Sequence, residues 1–346
     1  MSFKLTRFPC PNFSLRRAAT LTATAALAVG LSSCASDDGL LRTPDGSIIS
    51  TTVTRIAEVN VVNPGRDYSK TCLAPTAPDA GKADVARIVV TDPALLDALC
   101  ALGMGPQVKG ITANPGSVPE YLGPQLTAIP ALGDAPSAEA VKDAAPELVI
   151  ASPATANKLA ALTDTGALGR ARTVTVDPAG DWQESFRNVA GAVNRTSAAN
   201  DRLADFDKEA ARIGQVLDAP HSEVSLVRFT GDAELIEGTS SFGAQILAQI
   251  GVTRPTAQRT PETVPATDTN FTDADADLIY VSYDGDAGLA RGKEVQMSDR
   301  WLDMGAPTWT RVLSVNDTIW YRSSGLAAAW LVLNDVKDSL NSSSGG

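Results

Sequence analysis

The stretch "RIVVTDPALLDALCALG" (87–103) joins an apolar strand to a capped helix, and this combination decides the fold class. Residues 87–90 contain a short apolar run that is typical of a strand buried on both faces. Asp92 is suited to cap the following helix, Pro93 fits its first turn, and Gly103 is placed to end it. The stretch therefore predicts the first half of a strand–helix–strand unit.

The same alternation of strands and helices continues on both sides of a long helical section. Before that section, strands are predicted at 107–112, 148–152 and 172–176, and helices near 136–145 and 154–163. After it, strands are predicted at 223–229, 233–237, 277–283 and 311–315, helices near 240–250 and 325–338, and a polar loop at 253–272. Such alternation favours parallel sheets covered by helices on both faces. The predicted fold class is α/β, with two Rossmann-like lobes joined by a long helical bridge.

The predicted bridge consists of two amphipathic pieces. Residues 181–193 and 197–217 both repeat apolar side chains at helical spacing, and Asn194 interrupts them. A short strand within 53–62 is also predicted. The chain is then divided into a signal peptide (1–33), a tether or N-terminal extension (34–85), an N-terminal α/β lobe (86–180), the bridge (181–220), a C-terminal α/β lobe (221–340) and a flexible tail (341–346).

The N-terminus has the layout of an export signal. Four basic residues precede the apolar stretch 18–31, which is too short for a comfortable membrane span. The apolar stretch ends in "LSSC" (31–34), which resembles a bacterial lipobox, in which Cys34 would carry the lipid. The alternative is an ordinary secretory signal with an incidental cysteine. Either interpretation places the mature chain outside the cytoplasm.

Composition argues against nucleic acid as a partner and indicates the oxidation state of the cysteines. The chain has 346 residues and a net charge of −11, without the basic patch that nucleic-acid binding requires. In an exported protein, Cys72 and Cys100 are the remaining pair, and a disulfide is predicted between them. This bond would tie the N-terminal extension to the first helix of the core. Two unpaired buried thiols are the alternative.

Several segments in order resemble one family, the iron–siderophore substrate-binding lipoproteins of bacterial ABC importers. The resemblance covers roughly 86–338 and is carried by "RIVVTDPALLDALCALGMGPQVKGI", "IPALGDAPSAEAVKDAAPELVIAS", "VSLVRF…SFGAQILAQIGVTRP", "DADADLIYVS" and "RVLSVNDTIWYRSSGLAAAWLVLNDV". The wording around "LDALCALG" is most similar to actinobacterial, mycobacterial-type members. The resemblance implies that an acidic residue on each lobe docks on permease arginines. Glu139 matches the first of these, and the second falls near Asp268, where the family usually has glutamate.

A ferric siderophore supplies its own iron ligands, so its receptor needs positive charge and flat apolar surfaces instead of metal-binding side chains. The single histidine, His221, stands at a strand entry and is expected to be structural. The sequence has no cluster with zinc, manganese or haem spacing, so neither a metal site nor a resident cofactor is predicted.

Arg228, in the apolar strand "VSLVRF", is the sharpest ligand-binding candidate. It falls near the carboxyl end of its strand, where ligands bind in open α/β sheets. A desolvated guanidinium needs a partner, which is either an anionic ligand or an internal carboxylate. The internal alternatives are Asp232, Glu234 and Glu237, whereas the resemblance implies that this arginine faces the ligand.

Aromatic side chains are the second group of candidates. Trp320 and Tyr321 are predicted to leave a strand for a loop, where a ring can stack on a chelate. Two other tyrosines have similar positions. Tyr283 directly follows "LIYVS" (278–282), and Tyr121 lies within "PEYLG" (119–123). Packing in the core is the alternative for each of them.

The functional prediction is a lipid-anchored extracytoplasmic receptor that captures a ferric siderophore between two lobes and delivers it to an ABC permease. Haem or cobalamin binding is one alternative, with Tyr121 or Tyr283 as a haem ligand. A non-transport envelope lipoprotein that binds proteins is another. Catalysis is not predicted, because "GTSSFG" (238–243) lacks G-x-S-x-G spacing and no G-x-G-x-x-G motif follows a strand.

Overall fold

A computed structural model describes residues 54–341. The strands are β1 (Arg55–Ile56), β2 (Val59–Val61), β3 (Ile88–Val90), β4 (Val108–Ile111), β5 (Leu148–Ala151), β6 (Arg172–Thr175), β7 (Val224–Phe229), β8 (Glu234–Ile236), β9 (Val264–Pro265), β10 (Leu278–Tyr283) and β11 (Val312–Ser314). The helices are α1 (Leu96–Ala101), α2 (Gly123–Thr127), α3 (Ala138–Ala144), α4 (Ala156–Asp164), α5 (Trp182–Ala192), α6 (Thr196–Val216), α7 (Phe242–Ile250), α8 (Gly285–Gln296), α9 (Asp299–Leu302), α10 (Gly305–Thr308), α11 (Asp317–Trp320) and α12 (Leu326–Ser339).

The first sheet has four parallel strands in the order β4-β3-β5-β6. Every residue of β3 and β5 is buried, as expected for central strands with helices on both faces. Asp92 accepts a hydrogen bond from the Ala94 amide and begins a 3-10 turn that leads into α1. The mixed α/β class with parallel-rich sheets is therefore confirmed.

The second sheet has seven strands in the order β1-β2-β11-β10-β7-β8-β9. Its centre, β2-β11-β10-β7, is parallel, and the outer strands β1, β8 and β9 pair antiparallel with their neighbours.

The second sheet begins with residues that the sequence assigned to a tether. The hairpin β1–β2 falls within the short strand predicted at 53–62, and β2 pairs in parallel with β11. The backbone pairing continues to Val62, whose amide donates to Ser314. A short apolar strand gains both ladder hydrogen bonds and burial at the edge of a sheet, and this gain explains its incorporation. The described part of this segment, 54–85, is therefore packed on the fold.

Helices α5 and α6 connect the two sheets along the chain. Asn194 separates them in a left-handed conformation (φ 58°), a geometry that asparagine tolerates better than most residues. Arg195 follows and is almost completely buried, with one guanidinium nitrogen 2.5 Å from Asp84 and another 3.1 Å from the Thr76 carbonyl. The buried arginine fixes the break between the helices and ties it to the N-terminal segment.

One hydrophobic core runs between the two sheets and includes residues from α1, α5, α6, α7 and α12. Its aromatic centre is a chain of edge-to-face contacts from Phe242 to Trp182, Phe206 and Trp330. Because these helices belong to both halves of the fold, a large rotation of one half would disrupt close packing.

Asp97 is a buried residue whose hydrogen bonds join the two halves. Its two carboxylate oxygens accept hydrogen bonds from the amides of Ala327 and Ala328 at the start of α12, at 2.8 and 2.9 Å. Tyr121 donates a third hydrogen bond at 2.9 Å. Burial raises the pKa of the Asp97 carboxyl, and the hydrogen bonds oppose that rise.

Cys72 and Cys100 form a disulfide, so the N-terminal segment is covalently joined to α1. Gly103 ends the helical region next to this bond, with φ +68°. A Cβ at Gly103 would lie 2.4 Å from the Ala74 carbonyl oxygen, so the close approach of the two segments requires glycine. The predicted lipid-bearing Cys34, the signal peptide and residues 342–346 of the tail lie outside the described residues.

In the described range 54–341, no helix is both long enough and apolar enough to cross a membrane.

Candidate functional site

Three parallel strands of the second sheet end at the same edge, and charged side chains gather there. Arg228 stands one residue before the end of β7, Asp284 directly follows β10, and Asp317 begins α11 shortly after β11. The carboxyl edge of an open parallel sheet is where ligands bind in α/β proteins. This edge is therefore the candidate site.

Arg228 meets a carboxylate in a two-pronged arrangement. Its Nε donates to one oxygen of Asp317 at 2.7 Å, and a terminal nitrogen donates to the other at 2.9 Å. The hydroxyl of Ser282 also donates to Asp317, at 3.1 Å. The hydrogen bond with Asp317 raises the pKa of Arg228 against the effect of burial. The pair is a bidentate ion pair of the strong, geometrically specific kind.

The structure shows the internal ion pair that was the alternative for Arg228, but its partner is none of Asp232, Glu234 and Glu237. Glu234 pairs with Arg300, and Glu237 accepts a hydrogen bond from Thr263. The partner of Arg228 is Asp317, which is 89 residues away in the chain. The sequence suggested carboxylates close to Arg228 in the chain, but parallel strands bring distant segments to the same edge of a sheet.

Two further contacts complete the surroundings of Arg228. Asp284 lies 3.4 Å away, and the guanidinium carbon lies 5.3 Å from the centre of the Tyr321 ring. Asp284 is also 3.7 Å from Arg322, whose side chain is 61% exposed. Arg228, Asp284 and Arg322 therefore form a chain of alternating charges that runs from the sheet towards solvent.

Tyr321 is placed at this site, whereas Trp320 is not. The Tyr321 hydroxyl is buried without a hydrogen-bond partner, and burial raises its pKa well above the ordinary value. Arg254, whose pKa burial lowers to about 10, interacts electrostatically with Tyr321. The Tyr321 ring thus contacts Arg228, while its hydroxyl is enclosed by the protein.

The expectation that Trp320 stacks on a ligand is wrong. Trp320 ends the short helix α11, is completely buried, and packs 4.9 Å from the Tyr280 ring. Its indole nitrogen donates to Asp335 at 2.9 Å. A side chain enclosed in this way belongs to the core, which was the alternative.

The hydroxyls of the other two candidate tyrosines are already engaged. Tyr121 is 4% exposed and donates to Asp97. Tyr283 donates to Gln296 at 3.0 Å and stacks on Phe229. Each residue is still part of the lining of a cavity. Haem ligation by either hydroxyl would break an internal hydrogen bond, so the geometry disfavours this alternative.

The cleft lies where the loop after β4 faces the segment after β11. A cavity of about 330 Å³ is lined from one side by residues 116–121 and from the other by Asn316, Thr318 and Arg322. A second cavity of about 560 Å³ includes Tyr283 in its lining. Both cavities share Tyr68 and Asn316, so they adjoin.

Sequence reasoning missed part of this site. Tyr68 lies in the segment interpreted as a tether, and Asp284, Asp317 and Arg322 were not proposed. The acidic residues directly after predicted strands were the available signal, since strand ends define the ligand-binding edge.

The first sheet contributes hydroxyl groups to its own carboxyl edge. Thr91 and Thr155 share a hydrogen bond of 2.6 Å, and Ser152 donates to Asp92 at 2.5 Å. Lys158 is paired with Asp134 at 2.6 Å. This edge is polar but carries no excess positive charge in the contacts described.

Glu139 and Asp268, the residues matched to permease docking, are both exposed. Glu139 lies in the first turn of α3, which Ser137 caps, and Asp268 lies in the loop after β9. Their exposure leaves both carboxylates available to a partner.

His221 is exposed and lies 2.7 Å from Asp218, whose hydrogen bond raises the pKa of the imidazole. Among residues 54–341, no three His, Cys, Asp or Glu side chains are grouped so as to hold a metal ion.

Two α/β sheets, a helical connection and a cleft at the strand ends define a two-lobed solute-binding protein. A family model described as "Periplasmic binding protein" matches residues 88–314, and the chain belongs to this family.

A curated relative is the "Probable siderophore-binding lipoprotein YfiY" of Bacillus subtilis. It is 29% identical over 269 residues, which cover 72% of this chain and 81% of the relative. The actinobacterial subtype suggested by the sequence stays a prediction.

Solved structures share the fold at low identity. Staphylococcus aureus SirA complexed with staphyloferrin B has a TM-score of 0.60 and 20% identity, covering 84% of this chain and 99% of that one. S. aureus FhuD2 with bound ferrioxamine B has a TM-score of 0.57 and 17% identity, covering 73% and 97%. Bacillus subtilis FeuA has a TM-score of 0.59 and 14% identity, covering 77% and 96%.

Proposed function

We propose that this protein is the extracytoplasmic binding component of an ABC-type iron importer and that it captures a ferric siderophore in the cleft. The observation that carries the proposal is the similarity to a siderophore-binding lipoprotein over 72% of the chain. The cleft is consistent with it, since ligand-sized cavities adjoin at the carboxyl edge of the second sheet.

The chemistry of the cleft suits a preassembled chelate. The rings of Tyr68 and Tyr283 offer flat apolar surface, while Asn316 and Thr318 offer polar groups. Arg322 is the most accessible cation at the site. A receptor of this kind recognises the outer surface of the chelate and leaves the iron with its own ligands.

Binding requires only a small closure in this proposal. The shared core and the Asp97 contacts with α12 hold the two halves together. Limited reorganisation lowers the cost of ordering the site on binding.

The anchor and the docking contacts are further parts of the proposal. Cys34 would carry the lipid that holds the protein at the outer face of the cell membrane. Glu139 and Asp268 would meet arginines of the permease, each exposed carboxylate forming an ion pair.

A fluorescence titration tests the proposed function. Purified full-length protein is titrated with a panel of ferric siderophores, and each iron-free siderophore serves as the matched control. We expect saturable quenching of tryptophan fluorescence at micromolar concentrations by at least one ferric chelate. Absence of binding by every chelate would overturn the proposal, and a haem titration with a shifted Soret band would favour the haem alternative.

A further inference from the structure

The charges around the cleft carry information about the ligand beyond the proposed function. Arg228 was the candidate to bind an anionic chelate. Its guanidinium already donates hydrogen bonds of 2.7 and 2.9 Å to the carboxylate of Asp317. Asp284 lies 3.4 Å away on another side. A ligand anion would have to displace a carboxylate that Ser282 also holds.

The remaining charges of the cleft are unevenly balanced. The cations that line the two cavities or join their ion pairs are Arg66, Arg228 and Arg322. The carboxylates that do so are Glu120, Asp284, Asp286, Asp317 and Asp335. Acidic groups therefore outnumber basic ones.

The basic residues near the two cavities do not offset the excess of acidic groups. Arg66 is committed to Asp335, and Lys158 on the opposite side is paired with Asp134. Of the three arginines, only Arg322 is mostly exposed, and Asp284 is already near it.

Resting on the proposed function, we propose that the cleft selects ferric chelates without net negative charge, of the tris-hydroxamate class. Three singly charged hydroxamates cancel the charge of ferric iron, whereas three doubly charged catecholates leave a trianion. A trianion would meet the carboxylates in excess, of which Glu120 and Asp286 line the cavities at exposed positions, and like charges repel. A neutral chelate meets the same rings and polar groups without that repulsion.

The test compares affinities for chelates of different charge on the full-length protein. The probes are ferrichrome (neutral), ferrioxamine B (cationic) and ferric enterobactin (trianionic), measured by tryptophan quenching. We expect the neutral or the cationic probe to bind at least tenfold more tightly than the trianion. Equal or tighter binding of the trianion would overturn this inference and leave the proposed function standing. Failure of all three, and of the wider siderophore panel, would overturn both.

Salt gives a second measurement on the same protein. Raising the ionic strength to about 0.15 M shortens the screening length to about 8 Å. Screening should strengthen whatever binding the trianion shows and leave the neutral probe unchanged. A trianion whose binding weakens with salt is attracted by the site, and that result would contradict the inference.

Two substitutions test the residues responsible. Asp317→Asn should release Arg228, and Asp284→Asn removes a half-exposed carboxylate with little risk to folding. Each should raise the affinity for the trianion about tenfold relative to the neutral probe. Asp303→Asn, at an exposed position between α9 and α10, is the matched control and should change neither affinity. Because unfolded protein cannot gain affinity, absence of the gain in folded Asp284→Asn would contradict the proposal.

Discussion

The two sheets differ in the side chains that they place at their carboxyl edges. The first, with four parallel strands, ends in hydroxyl groups such as Thr91 and Ser152. The second, with seven strands, ends in the ion pairs of Arg228 and Arg322 with Asp317 and Asp284. A common α/β plan therefore supports two chemically different strand edges, and the charged edge is the one that carries the candidate site.

The two halves also differ in how they are held. The first half is fastened by the Cys72–Cys100 disulfide and by Asp97 at its border with α12. The second half buries several carboxyl groups, of which Glu234 and Glu237 have pKa values raised by burial. Covalent and capping contacts thus fasten the first half, and burial opposes the ionisation of carboxyl groups in both halves, Asp97 among them.

Removing the disulfide should produce the largest loss of stability. The bond spans a sequence separation of 28 residues. The chain-entropy relation assigns about 3–4 kcal/mol to a loop of this size. Urea denaturation of the Cys72→Ala/Cys100→Ala double variant should show this loss, with amide exchange increased mainly in the first half. A loss below about 1 kcal/mol would contradict the assigned role.

Asp97→Ala should lower the free energy of unfolding by about 2–3 kcal/mol, since two buried amides of α12 and the Tyr121 hydroxyl lose their partner. Asp92→Ala is the matched control, because Asp92 caps a helical turn within its own half. That variant should lose about 1 kcal/mol. If both substitutions have the same effect in urea denaturation, Asp97 does not join the halves energetically.

The smallest expected effect is a pH dependence located in the second half. Burial raises the pKa of Glu237 above its ordinary value of 4.5, so the folded state binds this proton more tightly than the unfolded state. Glu237 therefore contributes a loss of stability as pH rises above about 4.5, with a slope of at most about 1.4 kcal/mol per pH unit.

The measurement compares wild type with Glu237→Gln in urea denaturation between about pH 4 and pH 8. The wild type should lose stability relative to the variant as pH rises. Thr263→Val removes the hydrogen bond that opposes the pKa rise, so it should extend the loss to higher pH. A difference of the opposite sign would show that the carboxylate form is favoured at this position.

Most of the fold followed from patterns that are local in the chain. The strand at 223–229 and the helices on either side of Asn194 are visible because apolar periodicity and a left-handed break are short-range signals. The hairpin β1–β2 was only partly anticipated, since a two-residue strand is too short to show a period and joins the sheet through the distant β11. Helix α8 was missed because Gly285, Gly288 and Gly292 weaken its helical pattern.

The site was less predictable because its contacts join distant segments. Arg228 was found from its charge within an apolar strand, but its partnership with Asp317 depends on the register of β7, β10 and β11. Trp320 was misplaced because "NDTIW" forms a short helix capped by Asn316, and that helix turns the indole inward.

The hairpin β1–β2 affects how this protein can be shortened for experiments. A recombinant chain that starts at residue 86 would keep the family-matched region but would expose the edge of β11, to which β2 is paired. It would also leave Cys100 without Cys72. An unpaired strand edge and a lone thiol both invite self-association. Truncation before residue 54 keeps both the pairing of β2 with β11 and the disulfide. Shortened forms that start at residue 86 should therefore aggregate more than forms that start before residue 54.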